Sequence, residues 1–143
     1  MAIEDNKAFA QRFIDEVINA GNMAAIADFC VPGSMLAGGL AGQIMAMKTP
    51  FPDFNLTIDE MVAEAGKVVA RTTMRGTNNG PLIGLPALGK LESPVPPTGK
   101  SVMASTVYIF TISDGKLMSL ASEVDQIGIL QQLGWTFTPP DPT

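Results

Sequence analysis

Two carboxylates near the end of the 143-residue chain could do acid/base chemistry if the fold held them in a cavity. Glu123 and Asp125 lie two positions apart, the spacing that puts strand side chains on one face. A carboxyl held in an apolar cavity loses hydration, its pKa climbs towards the working pH, and it can serve first as base and then as acid. A pair can divide those duties. Asp125 also has a purely structural use, because it precedes the apolar run Ile127 to Leu133 and can accept backbone amides as a helix cap.

Composition removes most other chemistry. The chain has no histidine, so the usual zinc, haem and serine-triad constellations cannot be assembled, and neither a metal nor a cofactor is expected. Its single cysteine, Cys30, excludes an internal disulfide; without an imidazole base its thiol stays protonated and inert. The glycines of LAGGLAG precede no Lys-Ser/Thr step, so they make no phosphate cradle. Nine basic against fourteen acidic residues give a net charge of -5, which repels nucleic acid and anionic lipid alike.

The apolar fraction of 46% and charged fraction of 16% describe a folded chain, expected to form one domain over residues 1–143. No apolar run is long enough for a membrane helix. The first ten residues carry acids and lack a basic start, so a cytoplasmic location is expected.

The elements that would position these groups follow from periodicity. Between Asn6 and Ala20, Phe9, Phe13 and Val17 recur at four-residue spacing beside Ala10, Ile14 and Ile18, which predicts an amphipathic helix stopped by Gly21. Asn22 can cap a second helix through Phe29, and a third covers Leu40 to Lys48 after a brief apolar stretch, Ser34 to Ala37.

Long strands then run from Phe54 to Ala63 and from Lys67 to Thr77, and a second pair spans Ser101 to Ile112 and Lys116 to Val124. The Asp114-Gly115 step supplies the positive dihedrals of a tight hairpin turn. The proline-rich stretch Asn78 to Gly99 reads as a long loop or lid that cannot hold a central strand. The strand after it is apolar on both faces, with Tyr108 and Phe110 on one and Met103, Val107 and Ile109 on the other. Helices would cover one face and a second copy of the chain the other, so a homodimer is expected.

The segments FPDFNLTIDEMVAEAGKVVARTTMRGTNNG, PPTGKSV and YIFTISDGKLMSLASEVDQIGILQQLG closely resemble successive strands of SnoaL-like polyketide cyclases, over roughly residues 6 to 134. The resemblance implies an α+β fold: N-terminal helices packed on a strongly curved antiparallel sheet, forming a cone with an internal pocket. It also implies a cofactor-independent cyclase or isomerase acting on a hydrophobic polyketide-like or terpenoid-like molecule by aldol-type ring closure. Asp125 matches the family's acidic strand end. Asn78 stands where members carry a histidine, as a hydrogen-bond donor to substrate, and Leu120 and Ala121 replace a histidine and tryptophan of the last strand.

Asp53 in the FPDF step is a candidate for a substrate hydroxyl or for a local Asx turn. Met74, Tyr108, Leu36 and Met118 are candidate lining residues, several of the nine methionines being suited to a pliable apolar pocket. Arg71 and Arg75 fall on the strand parity opposite Asn78 and face away from such a pocket. Two other readings stay open: a non-catalytic ligand-binding or dimerisation module, and epoxide opening by an Asp-Arg-Asp cluster recruiting Arg75.

Overall fold

The computed structural model describes residues 2–85 and 88–142. The N-terminal helix α1, Ile3–Arg12, runs without a break into a π-helical segment, Phe13–Asn19, and Gly21 at φ 71° ends it. Its predicted face is the buried one: Phe9, Ala10, Phe13, Ile14, Val17 and Ile18 all enter the core. A 3-10 turn, Met23–Ala25, leads into the short α2, Ile26–Phe29, although Asn22 makes no side-chain cap.

Edge-to-face rings join these helices to the sheet. Phe29 meets Phe9 at 5.1 Å and Phe13 at 5.3 Å between centroids, and Phe13 meets Phe110 at 5.8 Å. Each such pair contributes about 1 kcal/mol beyond the burial of its area.

The main sheet is antiparallel and ordered β1-β2-β5-β6, where β1 is Asn55–Glu64, β2 Lys67–Thr77, β5 Ser101–Ser113 and β6 Lys116–Val124. Two tight turns build its hairpins, with positive φ at Ala65 and Gly66 and again at Asp114 and Gly115. The second is the turn expected from its Asp-Gly step. The fold is therefore α+β, with helices against one side of a curved antiparallel sheet, as expected.

Two elements differ from the sequence reading. Helix α3 spans Met35–Lys48, so residues 34–37 start a helix instead of an extended stretch; the Ser34 hydroxyl accepts from the Ala37 N–H at 3.2 Å and starts the helix there. The proline-rich stretch contains a two-stranded hairpin, β3 Leu82–Leu85 with β4 Gly89–Val95, separate from the main sheet. Both of its strands are edges, which is why prolines at Pro81, Pro94, Pro96 and Pro97 are tolerated at their ends and on β4. Pro86 lies outside the described residues.

Helix α3 is held loosely for its length. Leu40 is its one buried residue, Met35 is 95% exposed, and an added Cβ at Gly38, Gly39 or Gly42 would meet nothing within 4 Å. Glycine inside an exposed helix costs about 0.5–1 kcal/mol relative to alanine. Gly38→Ala and Gly39→Ala should each stabilise the protein by that amount and raise Tm by about 3 °C. A thermal melt of each variant checks this.

Candidate functional site

The inner face of the sheet is set by strand parity, and parity on β6 changes once. Ile112 pairs with Leu117, but Thr111 pairs with Ser119, so Met118 is an extra residue that bulges out of the ladder. Beyond that bulge Phe110 lies opposite Leu120, Tyr108 opposite Ser122 and Thr106 opposite Val124. Residues directly opposite share a face, so Leu120, Ser122 and Val124 accompany Tyr108 inward and Glu123 faces outward, opposite Val107.

Above this face lies a cavity of about 590 Å³. Its floor is Met74, Thr106, Tyr108, Leu120, Ser122 and Val124. Ile18 and Phe54 form one wall, and the underside of α3 contributes Leu40, Gln43, Ile44 and Met47. The β3–β4 hairpin contributes Ile83, Gly84, Leu85, Gly89 and Lys90; Gln126 and Ile129 close the far end from α4, Gln126–Gln132.

The lining is mainly apolar with a row of hydroxyls. Tyr108 and Lys90 are its ionisable side chains among the described residues, and no carboxylate reaches it. Burial pushes the Tyr108 hydroxyl up to about 12, so it stays protonated and can donate a hydrogen bond throughout the neutral range.

The residues singled out from the sequence divide sharply. Met74 and Tyr108 line the cavity. Asp125 is exposed, and its carboxylate accepts from the Gly128 N–H at 2.9 Å, so it caps α4 from outside the cavity. A side chain at position 128 would collide with that carboxylate, which makes the glycine part of the cap. Glu123 is exposed on the outer face. The pairing of the two carboxylates inside the pocket is therefore corrected: the Met118 bulge turns both out.

Asn78 is 2% exposed and its amide is fully used. It donates to the Pro50 carbonyl at 3.1 Å and the Gly80 carbonyl at 3.0 Å, and accepts from the Thr98 N–H and hydroxyl, each at 2.9 Å. It clasps three segments at the end of β2 and lies off the cavity.

Asp53 accepts from the Thr77 N–H at 2.6 Å, a long-range tie across β2 rather than a local turn. That backbone hydrogen bond, followed by one from the Thr77 hydroxyl, holds its carboxyl below the usual carboxylate range. Asp53, Arg75 and Gln132 border a second hollow of about 360 Å³. Leu36 packs half-buried against the main core, and Met118 is half-exposed at its bulge; neither lines the cavity.

Arg71 binds Glu60 at 2.7 Å and Asp59 at 3.6 Å on the outer face, and Arg75 reaches the Thr57 hydroxyl at 3.2 Å. No arginine enters the cavity among the described residues, so an Asp-Arg-Asp cluster is not assembled there. Burial raises the Cys30 thiol, with Lys116 partly opposing it. No group of three potential metal ligands forms among the described residues, and no helix among them is long and apolar enough to cross a membrane.

The family model for SnoaL-like polyketide cyclases matches residues 8–133. The chain belongs to that family. No curated protein matches it. TsrD of Streptomyces laurentii has a TM-score of 0.74 at 24% identity, over 94% of this chain and 98% of TsrD. A SnoaL-like protein of Jannaschia sp. CCS1 gives 0.77 at 20%, covering 96% of this chain and 95% of its own. A SnoaL-like polyketide cyclase of Agrobacterium tumefaciens gives 0.69 at 17%, covering 94% of this chain and all of its own at 100%. At these identities the likeness is one of fold.

Sequence reasoning missed Thr106, Ser122, Gln43, Gln126 and Lys90 in this SnoaL-like cavity. Thr106 was within reach, two positions from Tyr108 on the same strand. Ser122 was hidden by the bulge, and Lys90 by the reading of its strand as loop.

The two polar residues outside the cavity should separate cleanly by stability. Asn78→Ala leaves the Pro50 and Gly80 carbonyls and the Thr98 donors short of a partner and should cost about 2–4 kcal/mol. Asp125→Ala removes one cap and should cost about 1 kcal/mol. Urea denaturation measures both, and Asp125→Ala should leave the affinity for an apolar fluorophore unchanged.

Proposed function

We propose that this SnoaL-like protein accelerates ring closure or isomerisation of an apolar, polyketide-like molecule held in the cavity. The observation that carries this reading is a partly open apolar cavity floored by hydroxyls and, among the described residues, free of lining carboxylates. In an aldol closure, an enolate carbon attacks a carbonyl of the same molecule and negative charge gathers on that carbonyl oxygen. A neutral donor already fixed in a water-poor site stabilises that charge without reorganising.

Tyr108 is the donor best placed for this role, with Ser122 opposite it and Thr106 beside it to orient further oxygens of the substrate. A 1,3-dicarbonyl methylene is acidic enough to exchange its proton with solvent. The protein's contribution is then to hold the reacting ends together, which is worth several kcal/mol when the geometry is good. This differs from a mechanism run by Asp125, whose carboxylate is engaged at the α4 cap.

A linear aryl β-diketo ester, whose cyclisation creates a chromophore, provides the assay. Wild-type protein should speed closure over buffer, Tyr108→Phe should lose about a hundredfold of that rate, and Asp125→Asn should retain it. Full activity in Tyr108→Phe would remove the donor role. Tight binding of the ester by wild type without closure would favour the non-catalytic module, a reading supported by the lack of a lining carboxylate or imidazole among the described residues.

A second copy of the chain is the proposed cover for the outer face of the sheet. Val62, Val69, Ile109 and Ala121 form one row across all four strands, with Val62 62% exposed and Ile109 37% exposed. Sedimentation at tens of micromolar should give a dimer, and Ile109→Glu should give a monomer. A monomeric wild type would sink this proposal.

A further inference from the structure

Lys90 is the one cationic side chain lining the cavity among the described residues, and it is exposed at the rim formed by the β3–β4 hairpin. It makes no ion pair or hydrogen bond with any described residue. Several other cations are committed elsewhere: Arg71 to Glu60, Lys67 to the Thr111 hydroxyl, Lys116 to the Asp28 carbonyl, and Lys48 over the Phe54 ring. The hairpin places Lys90 directly opposite Gly84, where any side chain would strike the Gly89 carbonyl. Gly84 and Gly89 contribute only backbone to the rim at that point, between the apolar Ile83 and the Lys90 ammonium.

The charge pattern has a direction. The chain as a whole carries -5 and should repel an anion, yet no carboxylate among the described residues lines the cavity and an uncommitted ammonium stands at its edge. An apolar molecule with a negative head can bury its body against Met74 and Leu120 while the head stays at the wet rim beside Lys90. One ammonium balances the single charge of a carboxylate, whereas a phosphate dianion would remain half-compensated.

Resting on the reading of this cavity as a small-molecule site, we propose that Lys90 determines specificity for ligands that carry a free carboxylate on an apolar ring system. A neutral ester would lack the partner that Lys90 supplies.

Calorimetric titration with 2-naphthoate and methyl 2-naphthoate at pH 7 and low ionic strength tests the assignment. Wild type should bind the acid roughly threefold more tightly than the ester, the range expected of a solvent-exposed ion pair. That order is diagnostic because apolar area alone favours the ester. Lys90→Gln should bind the ester as before and lose the preference for the acid, and Lys90→Arg should keep it. Raising salt to about 0.5 M should erode the preference in wild type.

Ester bound as tightly as acid by wild type, or a preference surviving in Lys90→Gln, would overturn the role of Lys90 and leave the cavity reading standing. Failure of wild type to bind either compound would overturn both.

Discussion

Between Ile112 and Thr111 the pairing of β5 with β6 slips by one residue, and the content of the cavity depends on that slip. Strand side chains alternate with a period of two, so one inserted residue exchanges the inner and outer sets for the rest of the strand. Without Met118 as the extra residue, Glu123 would lie opposite Thr106 and face inward. With it, Ser122 and Val124 face inward, Glu123 faces solvent, and Asp125 arrives at the start of α4 with its carboxylate free to cap. A matching slip on β1, where Asp59 is the extra residue between Ile58 and Glu60, sets two acids beside Arg71 on the outer face. Both bulges move charge outward and leave hydroxyls and hydrocarbon within.

An interior of that kind needs its backbone satisfied elsewhere, and side-chain amides do much of this at the sheet margins. Asn19, at the end of the π-helical segment, exchanges two hydrogen bonds with the Leu56 backbone, at 2.8 and 2.9 Å, as a neighbouring strand would. Gln132 on α4 does the same for Met103, at 2.8 and 2.9 Å, on the part of β5 that extends beyond the end of β6. Asn78 joins the end of β2 to the segments around Pro50 and Thr98. These amides satisfy backbone groups that water would otherwise have to reach, and two of them tie the π-helical segment and α4, which wall the cavity, to the sheet.

The parts legible in the sequence were those governed by local rules. The four-residue spacing of Phe9, Phe13 and Val17 marked the first helix, and the Asp114-Gly115 step marked the β5–β6 turn, because periodicity and positive φ are properties of short segments. The inward or outward sense of Glu123 was not legible, since it depends on pairing partners up to a bulge that no residue type announces. Asn78 was misleading for a related reason: a buried amide that binds substrate and one that binds three backbone segments use the same four hydrogen-bonding positions. The β3–β4 hairpin escaped notice because its prolines argue against a central strand, which is correct, and say little against a pair of edge strands.

A cavity with no histidine and, among the described residues, no carboxylate still has a coherent chemical logic. A titrating carboxylate in an apolar space would need either costly desolvation or a compensating partner, and an unpaired charge there would weaken the surrounding fold. A phenol with its pKa raised to about 12 carries no such penalty, because the neutral form that burial favours is also the form that donates. Burial leaves the Tyr108 phenolate unpopulated near neutrality, and the low-dielectric surroundings strengthen any hydrogen bond that the neutral phenol donates. Burial and donation then act in the same direction, and the one charged side chain lining the cavity among the described residues, Lys90, stands at the rim, where water shares its cost.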